Sequence, residues 1–188
     1  FNVDIDEFKK LVTSKTKLVI INSPGNPTGK CIPKADMEKM AEVLKDKDCF
    51  ILSDEIYSRI VYDGAESYSI TKIDGFKDRT IILDGFSKTY AMTGWRAGYG
   101  VMNTELAPVI TKLMVNCNSC TNTVVQKACI EALNGPQDEV VKIVAEFDRR
   151  RKIIVEGLNS IKGFNCTTPD GAFYAFPSIT GTGFTSKE

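Results

Sequence analysis

The sequence predicts an α/β fold: a mostly parallel sheet covered by helices, followed by the start of a smaller α+β domain. Three observations carry this reading. Apolar runs at residues 18–21, 49–52 and 80–83 have the length of buried strands rather than of helices. Segments with helical spacing of apolar residues lie between or after them, as parallel pairing requires. Each run also opens directly into a polar cluster, and ligands of open α/β sheets bind at such strand ends.

The elements follow in order. Asp4 followed by Glu7 reads as a capping-box variant, and Ile5, Phe8, Leu11 and Val12 give a first helical stripe. The strand at 18–21 is punctuated by Asn22-Ser-Pro-Gly-Asn-Pro-Thr-Gly29. Pro33 suits the first turn of a helix, on which Met37, Met40, Ala41 and Leu44 keep the i, i+3, i+4, i+7 spacing. The run at 49–52 empties into Asp54-Glu55, and the run at 80–83 into Asp84-Gly-Phe-Ser-Lys88. Residues 97–102 form a fourth strand.

The chain then turns helical. Leu106, Val109, Ile110 and Leu113 make one stripe, and Val124, Val125, Ala128, Cys129 and Ala132 the next. Asn134-Gly135-Pro136 stops that helix. One long helix follows over 137–161, with Arg149, Arg150 and Arg151 on a solvated face. Thr168-Pro-Asp-Gly171 is a turn between two strands at 165–167 and 172–176. Residues 1–136 thus belong to a larger domain, 137–161 to a connecting helix, and 162–188 to the start of the smaller domain.

Composition removes several kinds of chemistry. The 188 residues are 43% hydrophobic and 26% charged, an ordinary globular balance. Lys plus Arg and Asp plus Glu are 24 each, so net charge offers no reason to expect nucleic acid or an anionic membrane as partner. No apolar run is long enough to span a bilayer. There is no His, which excludes a Ser-His-Asp triad, a His-ligated metal and an imidazole base within this chain. The six Cys are scattered, and Cys117-x-x-Cys120 has no second pair, so all six are expected to be reduced and structural in an intracellular protein. The opening at Phe1, with no leader pattern, and the ending at Glu188 suggest an excised fragment.

The polar strand ends carry the candidate site. Lys88, in a Gly-Phe-Ser-Lys turn, is either solvated or an amine crowded and desolvated enough to form a Schiff base with a carbonyl. Asp54 is either a cap on the turn after it or a carboxylate that keeps a buried cation charged. Arg96 lies in Gly94-Trp-Arg-Ala-Gly98, where small neighbours let a planar fork reach a phosphate; its alternative is a salt bridge to a nearby acid. Tyr57 and Asn26 offer a phenol and an amide to a ring oxygen, or serve core packing and turn chemistry. Pro24 and Pro27 stiffen the loop that aims Asn26. Aldehyde, ring nitrogen, ring oxygen and phosphate are together the groups of pyridoxal 5′-phosphate.

Four segments resemble one family. Gly85-Phe-Ser-Lys-Thr-Tyr-Ala-Met-Thr-Gly-Trp-Arg-Ala-Gly98 is similar to the pyridoxal-phosphate attachment motif of class I aminotransferases. Asn22 to Gly29 and Ser53-Asp-Glu-Ile-Tyr57 resemble two further signatures in the same order, and Pro169-Asp-Gly-Ala-Phe-Tyr-Ala-Phe-Pro177 resembles the small-domain hairpin. Met92-Thr-Gly-Trp-Arg96 points to the aspartate aminotransferase branch of the fold-type I pyridoxal-phosphate enzymes. Gly85 stands where some members carry a hydroxyl residue.

The resemblance implies roles. Lys88 binds the cofactor covalently and then shuttles the substrate proton, Asp54 pairs with the ring nitrogen, and Tyr57 and Asn26 bond the ring oxygen. Arg96, with Ser87 or the turn amides, holds the phosphate. The implied reaction moves an amino group from an amino acid to a 2-oxo acid in a ping-pong cycle, in a cytoplasmic homodimer to whose site residues 116–122 contribute across the interface. The family's Gly-rich phosphate loop and ring-stacking aromatic would lie upstream, and its carboxylate-binding arginine downstream, so the 188 residues alone are expected not to transaminate. Carbon-sulfur lyases and aminocyclopropane-carboxylate synthases share these cofactor residues, and a non-catalytic truncated module is the third reading.

Overall fold

Asp4 caps the first helix as its spacing predicts: its carboxylate accepts from the Glu7 amide at 2.9 Å, and α1 runs Ile5–Leu11. The computed structural model describes residues 1–187. Helix α2 spans Lys34–Leu44 and buries Met37, Met40, Ala41 and Leu44, the four residues of its predicted stripe. Pro33 is the residue before this helix rather than in its first turn, with an extended ψ of 149°.

Four strands, β1 (Leu18–Asn22), β2 (Phe50–Asp54), β3 (Thr80–Gly85) and β4 (Gly98–Val101), form one sheet in that order. The first three are parallel and β4 is antiparallel to β3. Strands β1 to β3 run one or two residues further than their apolar cores, so Asn22, Asp54 and Asp84 sit within the ladder. Register places Ile21 beside Ser53 and Ile51 beside Thr80, all on the face covered by α1 and α2. Leu44 and Ile51 are fully buried there, and each such side chain contributes roughly 1.5–3 kcal/mol by leaving water. The alternate residues Leu18, Ile20 and Leu83 point to the other face and stay exposed.

Helices α3 (Leu106–Asn118), α4 (Thr123–Asn134) and α5 (Asp138–Asn159) complete the described elements apart from short 3₁₀ turns. Helix α3 buries no residue, while α4 buries Cys129 against Phe86, Met92 and Ala97. The connector between α3 and α4 is only residues 119–122, because Asn116 to Asn118 are helical.

Two expectations fail here. Arg151 is not on a solvated face: its side chain is 5% exposed and bonds Asp148, Asp63 and the Pro169 carbonyl. Its guanidinium also stacks 4.5 Å from the Tyr62 ring centroid. The two strands expected around the 168–171 turn do not pair with each other. The Asp170 and Ala172 amides instead donate to Gly29 and Ile60 carbonyls at 2.9 Å, so Gly171 bridges to Val61 while Asn165 bridges to Ser178. All six Cys are free; Cys117 and Cys120 are exposed, so packing does not account for those two. Among the described residues no helix is long and apolar enough to cross a membrane.

Candidate active site

Three loops leave the carboxyl ends of β1, β2 and β3 from a common edge. Asn22 pairs with Asp54 across the ladder, and the Ser23 amide and Asn22 Nδ2 both donate to the Asp54 carbonyl at 3.3 Å. The Glu55 amide donates to the Leu83 carbonyl at 2.9 Å. Asp54 Oδ1 accepts from the Ile56 amide at 3.2 Å, so the capping reading holds. Among the described residues, no cation pairs with this half-buried carboxylate.

The first loop folds on itself and onto the C-terminal segment. Asn22 Oδ1 accepts from the Asn26 amide at 2.7 Å, and the peptide bonds before Pro24 and Pro27 are cis. Gly29 has φ +66°, and a Cβ there would stand 2.3 Å from Pro169 Cβ. Its carbonyl accepts from the Asp170 and Gly171 amides at 2.9 and 2.8 Å, and Lys30 pairs with Asp170 at 2.6 Å. The Asn26 side chain is exposed and has no partner among the described residues.

The second and third loops meet at one aromatic ring. Tyr57 is 3% exposed and lies edge-on to Phe173, with centroids 5.4 Å apart at 89°. Its hydroxyl bonds the Tyr174 hydroxyl. Burial first, with the nearby Asp54 charge adding to it, pushes the Tyr57 phenol well above its ordinary range. Lys88 Nζ stands 5.6 Å from the Phe173 centroid, and this half-buried amine makes no hydrogen bond or ion pair among the described residues. Ser87 beside it is half-buried and likewise has an uncommitted hydroxyl.

Arg96 stands at the far end of the motif. It adopts a left-handed backbone, φ 55° and ψ 48°, and its exposed guanidinium donates to the Thr93 carbonyl at 3.0 Å. The salt bridge weighed for it is not formed among the described residues. It lines a cavity of about 1000 Å³ with Asp84, Trp95, Tyr99 and the 119–122 connector. Asp84 accepts from the Gly85 amide at 2.7 Å and from Tyr99 at 3.1 Å. Burial nonetheless holds its carboxyl above the usual range, and burial beside Asp84 pushes the Tyr99 phenol up to about 12. A Cβ on Gly85 would meet Gly98 Cα at 2.9 Å, so the motif's two ends close against each other.

The structure therefore gathers Lys88 and Tyr57 around Phe173, with Ser87 next to Lys88 in the chain and Asp54 and Asn26 on the adjoining edge. No hydrogen bond or ion pair joins Arg96 to the other five. Phe173 and Tyr174 were legible only as part of a hairpin, because their contacts to Lys88 and Tyr57 span 85 and 117 positions (173 − 88 and 174 − 57). Chemically the cluster offers a free amine, a carboxylate without a cation, an amide and a guanidinium. None of the four side-chain heads is consumed by an ion pair among the described residues.

The model of the family described as aminotransferase class I and II matches residues 1–187. An aspartate aminotransferase of Pyrococcus abyssi is 43% identical over 190 residues, covering 100% of this chain and 49% of that protein. Aromatic-amino-acid aminotransferase 2 of Thermococcus litoralis is 41% identical, again over 100% of this chain and 49% of its own length. The crystal structure of an aromatic aminotransferase from Pyrococcus horikoshii superposes with a TM-score of 0.94 at 42% identity, over 100% of this chain and 50% of that one. The chain thus spans about half the length of the curated relatives it matches. With its strand-end cluster and a family match over 1–187, this chain belongs to the class I and II aminotransferases.

Proposed function

We propose that the protein carrying this chain is a pyridoxal-phosphate-dependent transaminase, moving an amino group from an amino acid to a 2-oxo acid. The observation that carries this is a set of groups at one sheet edge that form no ion pair among the described residues: the Lys88 amine, the Asp54 carboxylate and the Asn26 amide, with Arg96 beyond them. Their chemistry fits the cofactor's aldehyde, ring nitrogen, ring oxygen and phosphate in turn. Bound there, the cofactor supplies an aldehyde that condenses with amines and a ring that takes up the electron pair released at the substrate Cα.

The chain's own residues supply the rest. Lys88 would hold the cofactor through its amine and, once freed by the substrate amine, would carry the proton leaving the substrate Cα. The chain has no His to compete for that role. Asp54 would pair with the ring nitrogen and favour its protonated form. Tyr57 and Asn26 donate to the ring oxygen. Arg96 and Ser87 bind the phosphate.

The same reading takes residues 1–136 as part of the cofactor domain, 137–161 as the connecting helix and 162–188 as the start of the small domain. It also takes the whole protein as a cytoplasmic homodimer. Support for the dimer is the apolar surface that α3 exposes beside the 119–122 connector; support for a reducing compartment is the six free Cys.

The test is a visible absorbance scan of the full-length protein with pyridoxal 5′-phosphate, with and without Lys88→Ala, followed by an amino-donor screen. Wild type should show a cofactor band and ketone product. Lys88→Ala should change the band and lower turnover by roughly 10²–10⁴-fold. An unchanged band in the variant overturns the role of Lys88. Pyruvate with thiol or ammonia as product assigns the carbon-sulfur lyase branch instead, and no band at all assigns a non-catalytic module.

A further inference from the structure

Tyr57 is buried and has one hydroxyl partner among the described residues, the hydroxyl of Tyr174. The two rings meet edge to face, centroids 5.6 Å apart at 83°. Tyr174 arrives from a segment fixed on three sides. The Ala172 amide donates to Ile60 at 2.9 Å, the Tyr62 hydroxyl donates to the Ala172 carbonyl, and Arg151 donates to the Pro169 carbonyl at 2.7 Å. Phe173, packed 5.0 Å from Tyr174, is the ring that also faces Lys88.

A phenol has one proton to donate and lone pairs to accept with. Spent on Tyr174, the Tyr57 proton is lost to any ligand. If Tyr57 donates to the cofactor's ring oxygen, it can only accept from Tyr174. We propose that Tyr174 is a positioning residue acting through Tyr57: it donates to the Tyr57 oxygen and so commits the Tyr57 proton to the cofactor. This rests on the pyridoxal-phosphate reading above.

Two effects follow. The Tyr174 donor fixes the hydroxyl rotor of Tyr57, which would otherwise choose its own direction. It also polarises the Tyr57 O–H bond, because hydrogen bonds in a chain strengthen one another. A better donor at the ring oxygen draws charge from it and weakens its hold on the proton of the neighbouring lysine-bound nitrogen. Tyr174 therefore lowers the pH at which that proton leaves, without touching the cofactor.

The test follows the visible band of the full-length, cofactor-loaded protein across a pH titration. Tyr174→Phe keeps the ring and removes only the hydroxyl. It should raise the midpoint by about half to one pH unit, the size of one neutral hydrogen bond. Tyr57→Phe should raise it further, and adding Tyr174→Phe to that variant should add nothing. A fluorinated tyrosine in place of Tyr174, a stronger donor of similar shape, should lower the midpoint and gives a readout even if Tyr174→Phe folds poorly. A midpoint in Tyr174→Phe equal to wild type, or an undiminished shift in the Tyr57→Phe background, overturns the relay while the cofactor reading stands. A wild-type protein with no band, or one unchanged by Lys88→Ala, overturns both.

Discussion

The two faces of the sheet differ more than their sequences do. Alternate residues of β1 to β3 are comparably apolar, yet one set is sealed and the other is bare. Ile21 and Ile51 are buried under α1 and α2, whereas Ile20, one residue from Ile21, is 68% exposed. Parallel sheets are ordinarily covered on both faces, and their strands read as continuous apolar runs for that reason. Here the second face carries exposed apolar side chains, and α3 likewise buries none of its residues. Local sequence shows that a surface wants burial; it does not show which surface gets it.

Buried positions should bear the largest mutational effects, on the sealed face and at the α5 contact alike. Arg151→Ala should be the most damaging, at about 4 kcal/mol, because it strips a buried cation from Asp148, Asp63 and the Pro169 carbonyl together. Leu44→Ala removes a fully buried side chain from between α2 and the sheet, and should cost about 3 kcal/mol. Ile20→Thr on the bare face should change stability by about 0.5 kcal/mol or less. Urea unfolding of the three variants measures all of this. A cost at Ile20 matching that at Leu44 would show that the bare face is covered in solution.

Asp84 gives a smaller effect with a direction set by pH. Burial raises its folded-state carboxyl above the unfolded value. The stability it contributes is therefore full in acid and is lost as pH rises through the raised carboxylate range. Asp84→Asn can keep the Gly85 bond at Oδ1 and remake the Tyr99 bond by donating to its hydroxyl. The variant should gain on wild type as pH rises across that window and show no advantage below it. Equal unfolding midpoints at both ends of the window would remove burial as the cause.

What the sequence makes legible follows the same division. The four sheet strands, the helical stripes and the Asp4 cap depend on neighbours within a few positions, and these were found where local pattern placed them. Lys88, Asp54, Tyr57, Asn26, Ser87 and Arg96 could be picked out as candidates because they lie at or near strand ends, where an α/β sheet concentrates its chemistry. Tyr174, Phe173 and Arg151 could not. Each works through a partner far along the chain, such as Asp63, 88 positions from Arg151. The hairpin expected at 165–176 failed for the same reason: distant carbonyls at Gly29 and Ile60 took the amides that local pairing would have used.

The arginine run condenses this into one comparison. Arg149, Arg150 and Arg151 are consecutive, and a helix turns each by about 100° from the last. Arg149 and Arg150 share the exposed Glu146, with contacts at 2.7 Å to its two oxygens, while Arg151 is carried round into the protein. Removing Arg149 leaves Glu146 still paired with Arg150, and an exposed i,i+3 pair in water holds little free energy to lose. Arg149→Ala should therefore leave the urea midpoint where it was, two positions from the substitution expected to move it most. A large loss at Arg149 would mean that its face of α5 is an interface rather than a solvated one.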